Sequence, residues 1–455
     1  MFNPIIFREY DIRGVFNEQF DLDFAYQLGQ AFCSYVFNKT NNKNMRLSLG
    51  FDARHSSPQI IESLAQGMKE SGAHVQILGL VTTPVCYFST FQLDLDGAIM
   101  VTGSHNPPEY NGFKISLGKT TIFGEEIQQL LKIINDKNYI SGHGTVSQYD
   151  IFPEYIERYK KEFGQLSPVK VILDCGNGAA GSIVRKLFNA AGYDPEILFE
   201  QPDGAFPNHH PDPTVEKNLK ALQKRVLETG AVCGIGFDGD ADRIGVVDHT
   251  GKMIYGDELM TIFARDILQK NPESKIVGDV KCSDRMYHDI AKNNGIPVMW
   301  KTGHSLIKEK IKTDKAPFGG EMSGHIFFAD RNYGYDDAPY AGLRLCEILS
   351  KTKKTIPQLL EGLPPAFNTP EIRIDTTEEK KILIVEKVKE KFSKTNDSNI
   401  KVNLIDGIRI SFPDGWALAR SSNTQPVLVV RFESNTQAGL ERIQNSVMSI
   451  VNENL

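Results

Sequence analysis

The sequence predicts an α/β protein of three similar mixed α/β domains followed by a C-terminal α+β domain. Length is the first reason, because 455 residues exceed what one hydrophobic core supports and suggest about three or four domains. A strand, polar loop, helix, glycine and strand then recur in that order at three places. The last stretch breaks the order, running strand, helix, paired strands and helix around an Asp406-Gly407 turn.

Residues 7–14 read as a strand-like opening, and a helix over 21–37 carries Phe24, Leu28, Phe32 and Val36. The first recurring unit is a strand over 46–51, a loop over 52–57, a helix over 58–71, Gly72 and a strand over 74–80. Pro58 in the first helical turn and Gly72 just past the last are the punctuation that helix ends favour. Residues 93–100 read as a short buried strand, with Leu95, Ala98, Ile99 and Met100. The second unit runs through a strand at 169–173, a helix at 182–191, Gly192 and a strand at 195–200. The third has a strand at 275–280, a helix at 284–294, Gly295 and a strand at 296–300. Pro364-Pro365 marks a linker to the tail, where 371–375, 401–412, 416–420 and 426–432 are extended and 378–392 and 437–451 helical. Domain boundaries are accordingly expected at 1–148, 149–252, 253–364 and 365–455.

Composition narrows the class. With 40% hydrophobic and 24% charged residues the chain is ordinary globular material, and its net charge of −6 argues against nucleic-acid binding as the main task. No apolar run is long enough for a membrane span, and the first residues lack the basic start of a signal peptide. Six scattered cysteines, with no CxxC pair, fit neither a disulfide framework nor a zinc site, so a cytoplasmic location is expected.

Several loops carry chemistry. Thr102-Gly-Ser104-His-Asn-Pro-Pro108 ends the apolar run at 93–100, and its prolines make it stiff. Ser104 there suits a nucleophile or phosphate carrier, while a plain surface turn would have the same composition. Asp238-Gly-Asp240-Ala-Asp242-Arg243 brings together three carboxylates whose repulsion a cation would relieve, and all-oxygen ligation suits Mg²⁺. A Ca²⁺ loop of the EF-hand type is excluded, because Arg243 and His249 stand where Gly and Glu would be needed. Gly176-Asn-Gly178-Ala-Ala-Gly181, with Glu200 downstream, matches the dinucleotide fingerprint and keeps an NAD-dependent oxidoreductase open. Gly320-Glu321-Met-Ser323-Gly-His325 offers donors and acceptors for sugar hydroxyls, and Arg420-Ser-Ser422-Asn423-Thr424 suits a phosphate dianion. Each also reads as a capped turn. A non-catalytic sugar-phosphate binder therefore remains a second alternative.

Taken together, and in this order along nearly the whole chain, these motifs resemble the α-D-phosphohexomutase family, most closely its phosphomannomutase/phosphoglucomutase branch. The resemblance implies four domains around a central cleft, with Ser104 as the phosphoserine and Asp238, Asp240, Asp242 and Ser104 holding Mg²⁺. It implies that Glu321 and Ser323 contact the sugar, that Arg420, Ser422, Asn423 and Thr424 hold the distal phosphate, and that Tyr10, Arg13, Lys114, Arg243, Lys281, His304 and His325 line the site. Among these, Lys114, His325 and Arg13 are expected in catalytic roles, with His325 first for proton transfer and Lys114 or His304 as substitutes. The implied reaction moves phosphate between O1 and O6 of mannose or glucose through a hexose 1,6-bisphosphate that turns over in the cleft. Met322 and Ala241 differ from the Gln and Gly typical of phosphoglucosamine mutases, which ranks glucosamine phosphate third. A monomer acting on small sugar phosphates, with neither nucleic-acid nor membrane partners, is expected.

Overall fold

The computed structural model describes residues 3–164, 166–395, 397–422 and 426–455, and these form four sheets in succession along the chain. The three recurring units are all present. Arg46–Phe51 pairs parallel with His74–Leu80 across the helix Ser57–Glu70, and Val171–Asp174 pairs parallel with Glu196–Leu198. Lys275–Asp279 pairs parallel with Ile296–Trp300 across Asp284–Lys292.

The repeat extends further than the sequence pattern indicates. In each unit the first strand also pairs parallel with a third: Gly97–Val101, Cys233–Phe237 and Phe318–Gly320. Each third strand turns back into an antiparallel fourth: Tyr110–Leu117, Ile244–Asp248 and Ile326–Phe328. The Ser104, Asp238–Asp242 and Glu321–His325 loops are thus the same turn, between third and fourth strand, in three successive units. Each turn contains a left-handed residue: Ser104 at φ 49°, Ala241 at φ 60° and Gly324 at φ 86°.

Local differences have physical causes. The strand expected over 93–100 begins only at Gly97, because Leu93 closes the helix Thr83–Gln92 and Asp94 turns left-handed at φ 49°. That helix is buried on nearly every side, so it shows no helical stripe. The helix expected over 182–191 starts as a 3₁₀ turn, Ala179–Ser182, and becomes α-helical only over Val184–Ala190. Gly72 and Gly192 take positive φ as expected, but in the third unit Asn294 does so instead. Gly295 is needed for space, since a Cβ there would lie 2.7 Å from the Leu268 side chain.

In the tail, Lys401–Asn403 and Ile408–Phe412 form the expected hairpin, with Gly407 at φ 71° in its turn. Val427–Ser434 pairs with Gly415–Ser421 on one side and with Ile372–Asp375 and Phe367–Asn368 on the other. The tail docks on the third unit through two buried arginines flanking Trp416, with Arg409 3.6 Å and Arg431 5.5 Å from the ring centre. Arg409 donates to the carbonyls of Val280 and Cys282, and Arg431 to that of Lys281, which fixes the strand end carrying Lys281.

The first three units share a continuous core that runs through Phe88, Tyr155, Phe188, Phe263 and Cys346. Within it Tyr155 and Tyr159 donate to Asp337 Oδ2 at 2.7 and 2.5 Å. Burial pushes the Asp337 carboxyl up to about 6 even though these donors and Arg158 pull it down. The folded state therefore holds this proton more tightly than the unfolded chain. The stabilisation it gives is full below the ordinary carboxylate pKa of about 4 and is lost as pH rises through 6. Asp337→Asn keeps an acceptor without the charge, so thermal melts should favour the variant increasingly between pH 4.5 and 7, by at most ~3 kcal/mol. A difference that does not change with pH would contradict this.

Candidate functional site

A cavity of about 570 Å³ opens where the four units meet. Its wall takes Tyr10, Arg13, Ser104 and Lys114 from the first unit, Arg243 from the second, Lys281, His304, Glu321, Ser323 and His325 from the third, and Arg420 and Ser422 from the tail. Asp238, Asp240 and Asp242 lie just behind Ser104 and Lys114. Asn423 and Thr424 lie outside the described residues.

Ser104 is buried and its Oγ donates to Asp238 Oδ2 at 3.1 Å, with His105 Nδ1 3.2 Å away. Two residues that no motif marked hold this loop. Asp52 Oδ2 accepts from Thr102 Oγ1 at 2.8 Å and from the Gly103 amide at 3.1 Å. The buried Arg54 guanidinium donates to the carbonyls of Ser104 at 2.9 Å, Asn106 at 2.6 Å and Tyr110 at 2.9 Å, and also to that of Pro107. The left-handed turn falls on Ser104 itself, and Gly103 is small because a Cβ there would run into Arg54. The signal was present in the Asp52-Ala-Arg54 loop at the end of the first strand of the unit, but only the fold shows which loop it clamps.

The three aspartates are wholly buried, with ligand oxygens within 4.8 Å of one another. The loop is a tight turn, in which Asp238 Oδ1 accepts from the amides of Asp242 and Arg243 at 3.1 Å each. Lys114 Nζ donates to Asp240 Oδ2 at 2.6 Å and to Asp242. Burial and the neighbouring Asp240 and Asp242 drive the Asp238 pKa well up. Burial acts the same way on Asp240, but Lys114 outweighs it and leaves that carboxylate low. Asp240 Oδ1 and Asp242 Oδ1 have no hydrogen-bond partner among the described residues. Orphaned carboxylate oxygens in an all-oxygen, over-negative cluster fit a hard divalent cation such as Mg²⁺.

Arg243 Nε donates to His325 Nε2 at 2.9 Å, and His325 Nδ1 lies 2.9 Å from Asp336 Oδ2. Asp336, fully buried, was not singled out from the sequence. The His304 ring stacks on His325 at 5.5 Å, and burial, with Lys308 nearby, pushes its pKa well down, leaving it neutral. Tyr10 donates to the Thr302 carbonyl at 2.6 Å, beside His304. Arg13 spans Asn106 Oδ1 at 3.0 Å and Asp11 Oδ2 at 2.5 Å. Burial raises the Glu321 pKa, and Ser323 Oγ donates to it at 3.1 Å. Lys281 Nζ pairs with Glu371 at 3.2 Å, Arg420 Nε with Asp406 at 3.0 Å, and the Ser422 amide with the Val427 carbonyl at 3.0 Å.

The dinucleotide-like glycines serve a different purpose. The Ala179 amide donates to Gly239 O at 2.9 Å, and a Cβ on Gly178 would meet that oxygen at 2.8 Å. Glu200, which would read a ribose, pairs with Arg185 at 2.6 Å. The turn packs against the aspartate loop and leaves no approach for a pyrophosphate, so the NAD-dependent alternative is withdrawn.

Matched α/β units around one polar cleft define the class. Family models described as phosphoglucomutase/phosphomannomutase alpha/beta/alpha domains I, II and III match residues 4–140, 153–251 and 255–367, and the C-terminal domain model of the same family matches 371–450. These matches make the chain an enzyme of the α-D-phosphohexomutase class. The phosphomannomutase/phosphoglucomutase of Pseudomonas syringae pv. tomato is 46% identical over 96% of this chain and 93% of its own. A phosphoglucomutase of Neisseria meningitidis is 41% identical over 99% and 97%. The crystal structure of a phosphoglucomutase/phosphomannomutase family protein from Burkholderia thailandensis superposes with a TM-score of 0.92 at 41% identity, covering 100% of this chain and 98% of that one. The chain belongs to the phosphoglucomutase/phosphomannomutase family.

Proposed function

We propose that this chain interconverts hexose 1-phosphates and hexose 6-phosphates, of both mannose and glucose, through a phosphoserine at Ser104 and a hexose 1,6-bisphosphate that reorients in the cleft. The observation that carries the reading is Ser104 Oγ, fixed 3.1 Å from a buried carboxylate at the wall of a cavity lined by all four units. The domains, at 1–148, 149–252, 253–364 and 365–455, each contribute a motif loop to it, and the first and third add Tyr10, Arg13, Lys281 and His304 from other segments. Six buried free thiols fit a reducing cytoplasm, and a monomer suffices because one chain supplies the whole cavity.

In the forward half-reaction a sugar hydroxyl oxygen attacks phosphorus, the Ser104 Oγ–P bond breaks, and the hydroxyl proton passes to His325. In the return half-reaction Ser104 Oγ attacks phosphorus at the other end of the bisphosphate, the bond from that phosphorus to the sugar oxygen breaks, and His325 returns its proton to this oxygen, so that hexose phosphate leaves with a free hydroxyl. Asp238, Asp240 and Asp242, with Ser104, would hold Mg²⁺. Bound there, the cation would supply charge against that developing on the phosphoryl oxygens. Lys114, kept charged by Asp240 and Asp242 against the pull of burial, and Arg13, beside the loop, add positive potential for the same group. Glu321 and Ser323 hold sugar hydroxyls. Arg420, Ser422, Asn423 and Thr424 hold the phosphate that is not reacting, Tyr10, Arg243, Lys281 and His304 contact the substrate along the cleft, and hexose 1,6-bisphosphate would act as activator.

Glucose and mannose differ only at C2, and a loop that contacts shared hydroxyls cannot separate them. Side-by-side kinetics should give kcat/KM values for glucose 1-phosphate and mannose 1-phosphate within about tenfold, or under ~1.4 kcal/mol. A glucosamine phosphate preference of about a hundredfold would overturn the sugar assignment and leave the chemistry standing. Arg420→Ala is expected to raise KM for both sugars about 10- to 100-fold with kcat changed less, because it removes grip that ground and transition states share. A fall confined to kcat would contradict that placement.

A further inference from the structure

We infer that Asp406 is a positioning residue for the distal phosphate, holding the Arg420 guanidinium at the cleft and tying it to the wall of the third unit. The inference rests on the reading that Arg420 grips the phosphate that is not reacting. One oxygen carries it. Asp406 Oδ2 accepts from Arg420 Nε at 3.0 Å and from the Thr302 amide at 3.0 Å. Arg420 comes from the tail and Thr302 from the third unit, and both line the cavity, so a single carboxylate oxygen joins two of its walls from behind. Among the described residues Nε is the only guanidinium nitrogen of Arg420 that donates a hydrogen bond within the protein. The Nη1–Nη2 edge of the fork is left for an anion, and two parallel N–H groups are what a phosphate accepts best.

The sequence marks Asp406 only as a turn residue, and the fold gives it a second task. It sits between Lys401–Asn403 and Ile408–Phe412, where Gly407 at φ 71° lets the turn lie directly on Arg420. A Cβ on Gly407 would come within 2.7 Å of the Arg420 Cα and Cβ. On the other side Ile405 packs against the cluster of Val280, Trp416 and Leu418, which anchors the turn in the contact between tail and third unit. Thr302 is fixed as well. Its carbonyl accepts from Tyr10 of the first unit at 2.6 Å, and its hydroxyl donates to Asp279 at 3.1 Å. Burial works against the charge on Arg420, and Asp406 is first among the groups that offset it. Without that anchor a long side chain samples several rotamers, and the phosphate has to order it on binding. Ground and transition states bear that cost alike, so it appears in KM.

The experiment uses the full-length enzyme in steady-state kinetics with glucose 1-phosphate and a bisphosphate activator. It compares wild type, Asp406→Ala, Asp406→Asn, Arg420→Ala and the double variant Asp406→Ala/Arg420→Ala. Asp406→Ala should raise KM about 10-fold with kcat within about threefold, and Asp406→Asn, which keeps an acceptor of the same shape, should recover part of that loss. Added to Arg420→Ala, the Asp406→Ala change should raise KM by under about twofold, because its effect passes through the arginine. A merely structural role would lower the amount of active enzyme, and so kcat, in step with thermal melts while leaving KM in place. An Asp406→Ala enzyme with wild-type KM, or single-variant effects on KM that multiply in the double variant, overturns the inference. If Asp406→Ala does not fold, Asp406→Asn, which keeps a turn-forming residue, decides by the same two criteria, alone and combined with Arg420→Ala. An Arg420→Ala enzyme with wild-type KM would instead remove the phosphate grip from the proposed function, and the inference with it.

Discussion

A Ser104→Ala protein is expected to bind hexose 1-phosphate with little change and to lose turnover by ~10⁴-fold or more. The serine combines burial, a clamped loop backbone and a carboxylate 3.1 Å away. Arg54 and Asp52 hold the loop through its carbonyls, its amide and the Thr102 hydroxyl, not through the Ser104 side chain, so the substitution removes a reactive atom and leaves the scaffold in place. The check is steady-state kinetics with glucose 1-phosphate, plus a bisphosphate activator, beside a binding isotherm for the same sugar. A variant that turned over within tenfold of wild type would remove Ser104 from the reaction.

The second large effect is expected at the aspartate loop. Asp240→Asn should lower kcat by ~10²-fold or more, move KM by under about threefold, and raise the Mg²⁺ concentration needed for half-maximal activity. Asp240 also neutralises Lys114 at 2.6 Å and accepts from Thr83 Oγ1 at 2.5 Å, so the amide disturbs both the cation site and the lysine beside it. The effect falls on kcat because the charge balanced here develops during transfer and is absent from the bound sugar. Titrations with Mg²⁺ and kinetics at saturating metal separate the two components. A variant with wild-type kcat and a raised KM, the pattern expected for Arg420→Ala, would exchange the roles assigned to these loops.

Much of this was legible in the chain, and the exceptions share one cause. Strand–loop–helix repeats and acidic or hydroxyl-bearing loops are local patterns, so the three α/β units, the Asp406-Gly407 hairpin and the motif loops could be read directly. The equivalence of the Ser104, Asp240 and Glu321 loops could not, because it depends on third and fourth strands that begin 17 to 46 residues after the recognisable half of each unit. Asp52 and Arg54 act on a chain segment distant in sequence, and nothing near them marks that role. The glycines at 176–181 show the converse. Their spacing satisfied a nucleotide-binding pattern, yet the close approach they permit is to the backbone of the aspartate loop. Lys114 is marked in the sequence only by the family resemblance, and the pairing of Tyr110–Leu117 with Gly97–Val101 is what carries its amine to Asp240 and Asp242.

The central claim is that Ser104 carries the phosphoryl group between the two ends of the sugar. Intact-mass spectrometry of the purified protein, before and after exposure to hexose 1,6-bisphosphate, with peptide mapping of the adduct, tests it most directly. The expected result is a gain of one phosphoryl group, located on Ser104, lost again when hexose 1-phosphate is added in excess and absent from Ser104→Ala. A protein that turns over hexose phosphates while its mass never changes, or that carries the group on another residue, would contradict it.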